Sequence, residues 1–390
     1  MSRIEELIKE FCPDGVEYKK LVDTVTIERG KRVVREQLSP NGKYPVYQNS
    51  LTPLGFHTEY NNIANTTFII VAGAAGEIGY SDVAFWAADD CFTIVCPPSV
   101  INRYIYYALL RAQPQLLSKI RKASIPRLSR IAIENLIIPV PPMPVQREIV
   151  RILDNFAELT AELTAELTAR KKQYEFYRDK LLTYKNSAKH GKIMDMLAQP
   201  ITDGPHTTPK LVDSGVPFLS AEAIYDGRIH FEKKRGFITE EFDSECCKKY
   251  KPQKNDVFMV KSGSTTGKVG FVDTDIRFNI WSPLAAMRTN DNNSPRFLFH
   301  LLQSESVQKQ VQAKASHGSQ PNLSMRALEQ FDVVIPSLEV QQRIANVLDN
   351  FDSICSDLNI GLPAEIEARQ KQYEYYRDKL LAFKELDNCE

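Results

Sequence analysis

Apolar side chains recur every three or four residues along two stretches of this chain, which is the spacing of a helix that buries one face. In the first stretch they are Val145, Ile149, Ile152, Phe156, Leu159, Leu163, Leu167, Tyr174, Tyr177 and Leu181. The second stretch, from Ile344 to Phe383, has a similar spacing but contains Gly361 and Pro363, so we expect a break in this helix. The same spacing is that of a coiled-coil seam. It predicts two long helices that pack on each other or, alternatively, each on its own globular part.

The remaining sequence has the features of strands and turns. Short runs of β-branched and aromatic residues, such as Thr67–Val71, Phe92–Val95 and Asp256–Val260, are broken by glycine, asparagine and proline. Tyr104–Leu110 and Phe297–Leu302 have the composition of buried helices. These segments predict a mixed α/β (α+β) fold.

An internal repeat organises the chain. Ala169–Tyr184 returns as Ala368–Phe383 with twelve of sixteen residues identical, and Leu153–Phe156 returns unchanged as Leu348–Phe351. The two offsets, 199 and 195 residues, differ by four residues that fall within helical sequence. We therefore expect two copies of one module, each with a divergent globular part followed by a helical part.

Composition narrows the class of protein. The chain has 43% hydrophobic and 25% charged residues, as soluble globular proteins do, and no apolar run approaches the ~20 residues of a membrane helix. Its start, from Met1 to Glu6, is acidic and amphipathic, unlike a secretion signal. Seven cysteines without a Cys-x-x-Cys pair favour reduced thiols over a zinc site or a disulfide framework. These features predict a cytoplasmic protein without a bound metal.

Two glycine clusters resemble nucleotide-binding loops without matching them. Gly263–Val269 has three rather than four residues between its glycines and lacks the serine or threonine of a phosphate loop, and Gly73–Gly79 lacks the order of a dinucleotide motif. Because they occupy corresponding places in the two copies, a tight turn beside a strand is the better interpretation. The six histidines are dispersed, and hydrolase, deaminase and methyltransferase motifs are absent from the sequence. We therefore expect no catalytic residues.

Basic and amide side chains in loops are the remaining candidate chemistry, because they can contact phosphates and base edges of DNA. The 49 basic and 49 acidic residues cancel, so a partner is expected to supply part of the phosphate contacts. The candidates in the first copy are Lys31, Arg32, Arg35, Lys119, Arg121, Lys122 and Arg127. The candidates in the second copy are Lys233, Lys234, Arg235, Lys261, Ser264, Thr265, Thr266, Lys268, Ser316, His317, Gln320 and Asn322. The alternative for each cluster is a solvated face.

Long paired motifs give the chain a family resemblance. Ile138–Pro142 is followed by Gln146–Asp154 in the first copy, and Ile335-Pro336 by Gln341–Asp349 in the second. Each pair leads into a block that reads Lys-Gln-Tyr-Glu, an aromatic residue, and then Tyr-Arg-Asp-Lys-Leu-Leu. Through these motifs the chain resembles, over nearly its full length, the specificity subunit of type I restriction–modification systems.

The resemblance implies two target-recognition domains in tandem, each reading one half of a split, asymmetric DNA site. Each domain would be followed by a long helix, and the two helices would pair as an antiparallel coiled coil within a pseudo-twofold repeat. The implied boundaries are 1–140 for the first recognition domain, 141–186 for the first helix, 187–336 for the second domain and 337–390 for the second helix. The motif Asp203–Pro209 also resembles the family, which adds His206 and Thr207 to the candidate DNA contacts.

The resemblance further implies a non-catalytic chain without a cofactor of its own. Adenine methylation and ATP-driven cleavage, with S-adenosylmethionine and ATP/Mg, would belong to separate subunits. The expected partners are double-stranded DNA, two modification subunits and possible restriction subunits. The candidate residues for docking the modification subunits are Tyr174, Tyr177, Arg178, Tyr373, Tyr376 and Arg377. The alternatives are seam packing for these tyrosines and, for the whole chain, a coiled-coil scaffold without DNA specificity.

Three tandem Ala-Glu-Leu-Thr units occupy Ala157–Thr168 of the first helix. The resemblance implies that such units set the spacer between the two half-sites. One unit adds ~6 Å of rise and roughly 40° beyond a full turn, whereas one base pair adds ~3.4 Å and roughly 35°. Because a rotational error would misplace every base contact, we expect one base pair of spacer per unit.

Overall fold

The computed structural model describes residues 3–121, 124–183, 189–316, 320–356 and 361–386. Its contacts divide the chain into two compact units. Unit 1 comprises the described residues of Met1–Glu162 and Ile366–Glu390, and unit 2 those of Leu163–Glu365. Each unit therefore combines one globular part with segments of both predicted helical regions.

Unit 1 has the predicted mixture of helices and strands. Its helices are α1 (Arg3–Phe11), α2 (Leu21–Thr24), α3 (Asn102–Ser118), α4 (Arg130–Glu134) and the first half of α5 (Met143–Leu182). Its strands are β1 (Tyr18–Lys20), β2 (Thr26–Arg29), β3 (Tyr44–Tyr47), β4 (Gly55–His57), β5 (Thr66–Ile70), β6 (Ile78–Ser81), β7 (Trp86–Ala87), β8 (Cys91–Val95) and β9 (Ile137–Pro139). The strands expected in this part are confirmed as β5 and β8, and the expected buried helix as α3.

An antiparallel sheet in the order β2-β8-β5-β6 forms the centre of unit 1. Strand β5 is buried along its whole length, because its neighbours and α3 cover its β-branched and aromatic side chains. A sheet in the order β4-β3-β7 and the pair β1-β9 complete the unit. Val145 and Ile149, in the first turns of α5, belong to the same hydrophobic core.

Unit 2 has a corresponding set of elements. Its helices are α6 (Glu240–Lys249), α7 (Pro295–Gln303), α8 (Glu305–Lys314), α9 (Met325–Glu329), α10 (Leu338–Ser356), the second half of α5 and the first residues of α11 (Leu362–Leu380). Its strands are β10 (Lys189–Lys192), β11 (Thr202–Asp203), β12 (Val216–Leu219), β13 (Ile224–Tyr225), β14 (Arg228–Ile229), β15 (Gly236–Ile238), β16 (Val257–Val260), β17 (Val269–Phe271), β18 (Asn279–Ile280), β19 (Leu284–Met287) and β20 (Asp332–Ile335). The expected strand and helix in this part are confirmed as β16 and α7.

The sheets of unit 2 repeat those of unit 1. Their orders are β11-β19-β16-β17, β15-β12-β18 and β10-β20, and a hairpin of β13 and β14 is added. The register is also repeated, since Ile69 pairs with Phe92 in unit 1 and Met259 with Ala285 in unit 2. The internal repeat is thereby confirmed at the level of strand pairing.

The long helices contact each other in both units. In unit 1 the ring of Phe156 on α5 stacks on Tyr376 of α11, with 5.3 Å between centroids and 21° between planes. In unit 2 the ring of Tyr177 on α5 stacks on Phe351 of α10 at 5.7 Å and 23°. The expected helix contact is therefore confirmed. The seam residues Val145 and Ile149, however, are fully buried in the hydrophobic core of the globular part of unit 1. The seam therefore packs in both of the predicted ways, on the partner helix and on its own globular part.

The second helical region consists of two helices in the described residues. Helix α10 ends at Ser356 and α11 begins at Leu362, which confirms the expected break near Gly361 and Pro363. Pro363 lies in the first turn of α11, where the missing N–H of proline costs no helical hydrogen bond. None of the described helices combines the length and the apolar character that a membrane span requires.

Candidate nucleic-acid interface

A glycine turn and a polar loop meet at the end of strand β5 in unit 1. The backbone N–H of Gly73 donates to the carbonyl of Pro126 at 3.2 Å. Arg121 and Arg127 exchange backbone hydrogen bonds of 2.9 and 3.3 Å, and both side chains are exposed. The backbone thus fixes the position of two predicted DNA contacts beside the turn.

Unit 2 builds the same arrangement with other side chains. The N–H of Gly263 donates to the carbonyl of Pro321 at 2.9 Å, and the N–H of Ser316 donates to the carbonyl of Asn322 at 3.0 Å. Asn322 takes the place that Arg127 has in unit 1, since each forms a β-bridge with the residue before the turn glycine. The same frame therefore presents an amide in one unit and a guanidinium in the other.

Positive backbone angles explain the two glycine clusters. The φ angles of Gly73 and Gly76 are +82° and +88°, and those of Gly263 and Gly267 are +101° and +97°. Side chains other than that of glycine are rarely compatible with this region. The interpretation as tight turns beside strands is confirmed.

The other candidates of the first copy lie on two segments. The exposed ones are Lys31, Arg32, Arg35 and Lys119. The backbone of Lys31 is fixed because its N–H donates to the carbonyl of Ala87 and its carbonyl accepts from the indole N–H of Trp86, both at 2.9 Å. Lys122 lies outside the described residues. As DNA contacts these residues stay predictions.

The candidates of the second copy differ in exposure. The exposed ones are His206, Thr207, Lys233, Arg235, Ser264, Lys268, Ser316, Gln320 and Asn322. The half-buried ones are Lys234, Lys261, Thr265 and Thr266. His317 lies outside the described residues. The hydroxyl of Thr266 donates to the carbonyls of Gly263 (2.7 Å) and Pro321 (3.2 Å), so it holds the turn on the loop.

The basic run Lys233–Arg235 lies beside the small sheet β15-β12-β18. The ammonium of Lys234 is 4.9 Å from the ring centroid of Phe237, and the guanidinium of Arg235 is 4.0 Å from that of Trp281. Cation–π contacts of this kind orient the charged groups. The structure therefore places this run on aromatic residues of the small sheet, whereas Ser264–Thr266 lie at the glycine turn.

A buried carboxylate joins residues that the sequence treated separately. The Asp203 side chain is 1% exposed, and its Oδ2 lies 3.3 Å from Lys261 Nζ and 3.2 Å from His206 Nε2. Its Oδ1 pairs with Lys249. Sequence reasoning missed Asp203 and Lys249 as site residues. The available signal was the position of Asp203 directly before Gly204-Pro205 in the family motif.

The predicted docking residues contact their own unit. The four tyrosines pack on helices or cores of that unit: Tyr174, Tyr177, Tyr373 and Tyr376. Arg178 and Arg377 are only 12% and 17% exposed, since each guanidinium lies over the tyrosine four residues earlier, at 5.4 and 5.9 Å. As docking residues all six stay predictions.

The neighbouring aromatic residue on each helix is exposed. Phe176 on α5 and Tyr375 on α11 are 61% and 60% exposed. The ammonium of Lys180 lies 5.8 Å from the Phe176 ring, and that of Lys379 lies 5.8 Å from the Tyr375 ring. An exposed aromatic–lysine pair of the same kind thus occurs on the described part of a long helix in each unit.

Two segments of the chain, residues 13–170 and 204–368, match the family model of the type I restriction modification DNA specificity domain. The chain belongs to this family. It is the DNA specificity subunit of a type I restriction–modification system, a non-catalytic subunit whose family carries no cofactor. In the part of the chain that the structure describes, no group of three His, Cys, Asp or Glu side chains could hold a metal ion.

Two specificity subunits from other organisms are similar to this chain over most of its length. The type I restriction enzyme EcoR124I/EcoR124II specificity subunit of Escherichia coli is 32% identical over 289 residues, which are 72% of this chain and 70% of that protein. A putative type I specificity subunit of Mycoplasma pneumoniae is 29% identical over 374 residues, which are 93% of this chain and 96% of that protein.

Solved structures share the fold. The S subunit of a type I restriction–modification system from M. genitalium superposes with a TM-score of 0.60 at 16% identity, covering 94% of this chain and 96% of that one. A chain from a structure that describes complex assembly and conformational transition of the type I R-M system superposes with a TM-score of 0.60 at 14% identity. The match covers 95% of this chain and 98% of that one.

Proposed function

We propose that each recognition domain of this specificity subunit reads one half of a bipartite, asymmetric DNA site. In this proposal the long helices set the spacer and dock two modification subunits, and restriction subunits join that complex. S-adenosylmethionine and ATP/Mg act in those partners. Because such a subunit works where the DNA is, a cytoplasmic location is part of the proposal.

The observation that carries the proposal is a backbone arrangement, a glycine turn held against a polar loop, that occurs in both units with different side chains. Both units hold a glycine turn against a polar loop through equivalent backbone bonds, from Gly73 to Pro126 and from Gly263 to Pro321. The loops present Arg127 in one unit and Asn322 in the other. Arginine favours the acceptor edge of guanine, whereas asparagine favours adenine. A duplicated frame with exchanged side chains suits the reading of two different half-sites.

Methylation mapping tests this proposal. We expect DNA from cells that co-express this subunit with its modification subunit to carry methyladenine in a split motif with a fixed spacer. Exchange of residues 1–140 for those of another specificity subunit should change one half of that motif. Methylation without a split motif would contradict the proposal. An assembled complex that methylates nothing would favour the scaffold alternative.

Deletion of one repeat unit, Ala161–Thr164, is expected to shorten the spacer by one base pair. Helix α5 is continuous from Met143 to Leu182 and includes all three Ala-Glu-Leu-Thr repeats. The deletion therefore removes ~6 Å of length and roughly 40° of net rotation from a regular helix. The readout is the methylated motif, with both half-site sequences unchanged. A spacer identical to that of the unmodified subunit would rule out the helix as its ruler.

Substitution of Phe176 by alanine is expected to remove one of two bound modification subunits, and substitution of Tyr375 the other. Each exposed ring offers an apolar contact beside a lysine, once per unit, as two copies of one partner would require. Native mass measurement of the co-purified complex reads out the loss. Ile276→Ala serves as the control, since Ile276 is 58% exposed but lies in a loop. Full stoichiometry in both helix variants would contradict this docking surface.

A further inference from the structure

The carboxylate of Asp203, at the end of strand β11 in unit 2, has two lysines and a histidine as neighbours. Asp203 is 1% exposed, Lys249 pairs with its Oδ1, and Lys261 and His206 lie within 3.3 Å of its Oδ2. The side chains of Lys249 and His206 are 51% and 73% exposed, whereas that of Lys261 is 12% exposed. The cluster therefore has a buried carboxylate at its centre and basic side chains that reach the surface.

Stability alone is a poor explanation of this cluster. Burial of a carboxylate is costly unless its oxygens are paired and hydrogen-bonded, and an apolar residue of similar volume often stabilises a fold as well or better. Oδ2 of Asp203 lies within 3.3 Å of Lys261 Nζ and His206 Nε2 but accepts no well-directed hydrogen bond from the described residues. The arrangement fits a group that orients its neighbours better than one that only supports the sheet.

The carboxylate connects three segments that are distant in sequence. His206 follows β11, Lys249 is the last residue of α6, and Lys261 follows β16 directly before the glycine turn. The carbonyl of Lys261 also accepts from the N–H of Leu323 at 2.7 Å, next to the loop residue Asn322. A shift of Asp203 would therefore be felt at several predicted DNA contacts at once.

Unit 1 has a different group at the equivalent position. Asp203 pairs with Ala285 across the sheet, and Arg29 pairs with Phe92 at the same register. The Nε of Arg29 donates to the carbonyl of Asp89 at 3.0 Å. A guanidinium in one unit corresponds to a carboxylate in the other, so the Asp203 cluster distinguishes the second recognition domain from the first.

We propose that Asp203 is a positioning residue for DNA recognition by the second recognition domain. Its carboxylate fixes Lys261 to the turn and aims Lys249 and His206 at the second half-site, where their ammonium and imidazole groups contact base edges. Asp203 itself contacts no DNA. This inference rests on the proposed function and assigns a specific residue to one half of the site.

The substitution Asp203→Asn tests the role, because asparagine keeps the shape of the side chain and removes its charge. We expect the methylated motif to become degenerate at one or more positions of one half, with the other half and the spacer unchanged. Discrimination between a matched duplex and a single mismatch in that half should fall about tenfold, the effect of losing one good base contact. Equal weakening of matched and mismatched duplexes, with unchanged discrimination, would overturn the positioning role.

Two further variants keep the test decisive. Lys249→Gln, at an exposed helix end, should make the same half of the methylated motif degenerate. An unchanged motif in this variant overturns the proposal even if Asp203→Asn fails to fold. Asp275→Asn removes an equal charge from an exposed pair with Lys254 (3.1 Å) and should leave the motif intact. Equal relaxation by Asp275→Asn would assign the effect to general charge and overturn the proposal. A split motif from the unsubstituted subunit separates each of these failures from a failure of the proposed function.

Discussion

Replacement of Gly204 by alanine is expected to unfold the central sheet of unit 2, with a loss of at least about 3 kcal/mol in the free energy of unfolding. A Cβ at this position would lie 1.9 Å from the carbonyl oxygen of Ile280, far inside van der Waals contact. The obstacle is backbone, so no side-chain rotation relieves it. Hydrogen exchange of β11 and β19 measures the effect, with β5 of unit 1 as the internal reference.

Two other glycines provide matched controls. Gly30 has the equivalent position in unit 1, where a Cβ would lie 2.1 Å from the carbonyl oxygen of Ala88. Gly30→Ala should therefore lower the hydrogen-exchange protection of β2 and β8 instead of β11 and β19. A Cβ on Gly263 would have open space within 4 Å among the described residues, but the φ angle of Gly263 is +101°. Gly263→Ala should therefore cost only about 1–2 kcal/mol of backbone strain. Native-like protection in the Gly204→Ala protein would contradict the steric argument.

Acidification from about pH 7.5 to about pH 5.5 is expected to destabilise unit 2 more than unit 1. The imidazole of His300 is fully buried on α7, 2.7 Å from Asp349 of α10 and 2.9 Å from the hydroxyl of Tyr174 on α5. A neutral ring satisfies both contacts, since Nε2–H donates to the carboxylate and Nδ1 accepts from the hydroxyl. Burial lowers the pKa of His300, and this outweighs the hydrogen bond to Asp349.

The direction of the pH effect follows from the lowered pKa of His300. The unfolded chain takes up a proton at this residue near pH 6.5, whereas the folded chain resists it. The stabilisation is therefore complete above about pH 6.5 and is lost as the pH falls, by up to about 1.4 kcal/mol per pH unit, until the folded pKa is reached. The charged groups that face the ring are Arg296, Asp349 and Asp352.

Protonation of the Asp349 carboxylate does not contribute to this pH effect, because it occurs at lower pH. Burial alone would raise the pKa of Asp349, but hydrogen bonds from His300 and Arg296 lower it below its usual value. Its contribution is therefore present above about pH 3.9 and is lost only under more acidic conditions. Between about pH 7.5 and about pH 5.5, His300 is the group in this cluster whose protonation destabilises the fold.

Unit 1 supplies the control because it has Tyr107 at the equivalent position. Its hydroxyl donates to Asp154, and burial followed by that hydrogen bond raises the pKa of Tyr107, so it stays neutral throughout this range. Amide exchange of α7 and α3 as a function of pH compares the two units, and His300→Gln should flatten the response of α7. Equal protection of α7 at both ends of the pH range would contradict the assignment.

Local sequence was sufficient to predict many elements. The buried strands β5 and β16 follow from short runs of mostly β-branched and aromatic residues, which suit a strand covered on both faces. The turns at Gly73 and Gly263 follow from a glycine placed within three residues of the end of such a run. The repeat then predicted that one architecture would occur twice, as the strand orders confirm.

The candidate site was less accessible from sequence. Lys31 and Lys261 looked alike as basic loop residues, but the first is exposed and the second is 12% exposed against Asp203. On the helices, seam spacing drew attention to Tyr177, whereas its neighbour Phe176 has the larger exposed surface at 61%. Periodicity reports which face of a helix is apolar, but not which part of that face another segment covers.

The sequence by itself determined the module, its duplication, its glycine turns and its family, because these depend on residues that are close together along the chain. Only the tertiary structure decided which charges are exposed and which are paired. Asp203, Lys249 and Lys261 meet because strand pairing brings the ends of β11 and β16 and the end of α6 together. Ion pairs of this kind act through space over a few ångströms, a distance that separation along the chain does not specify.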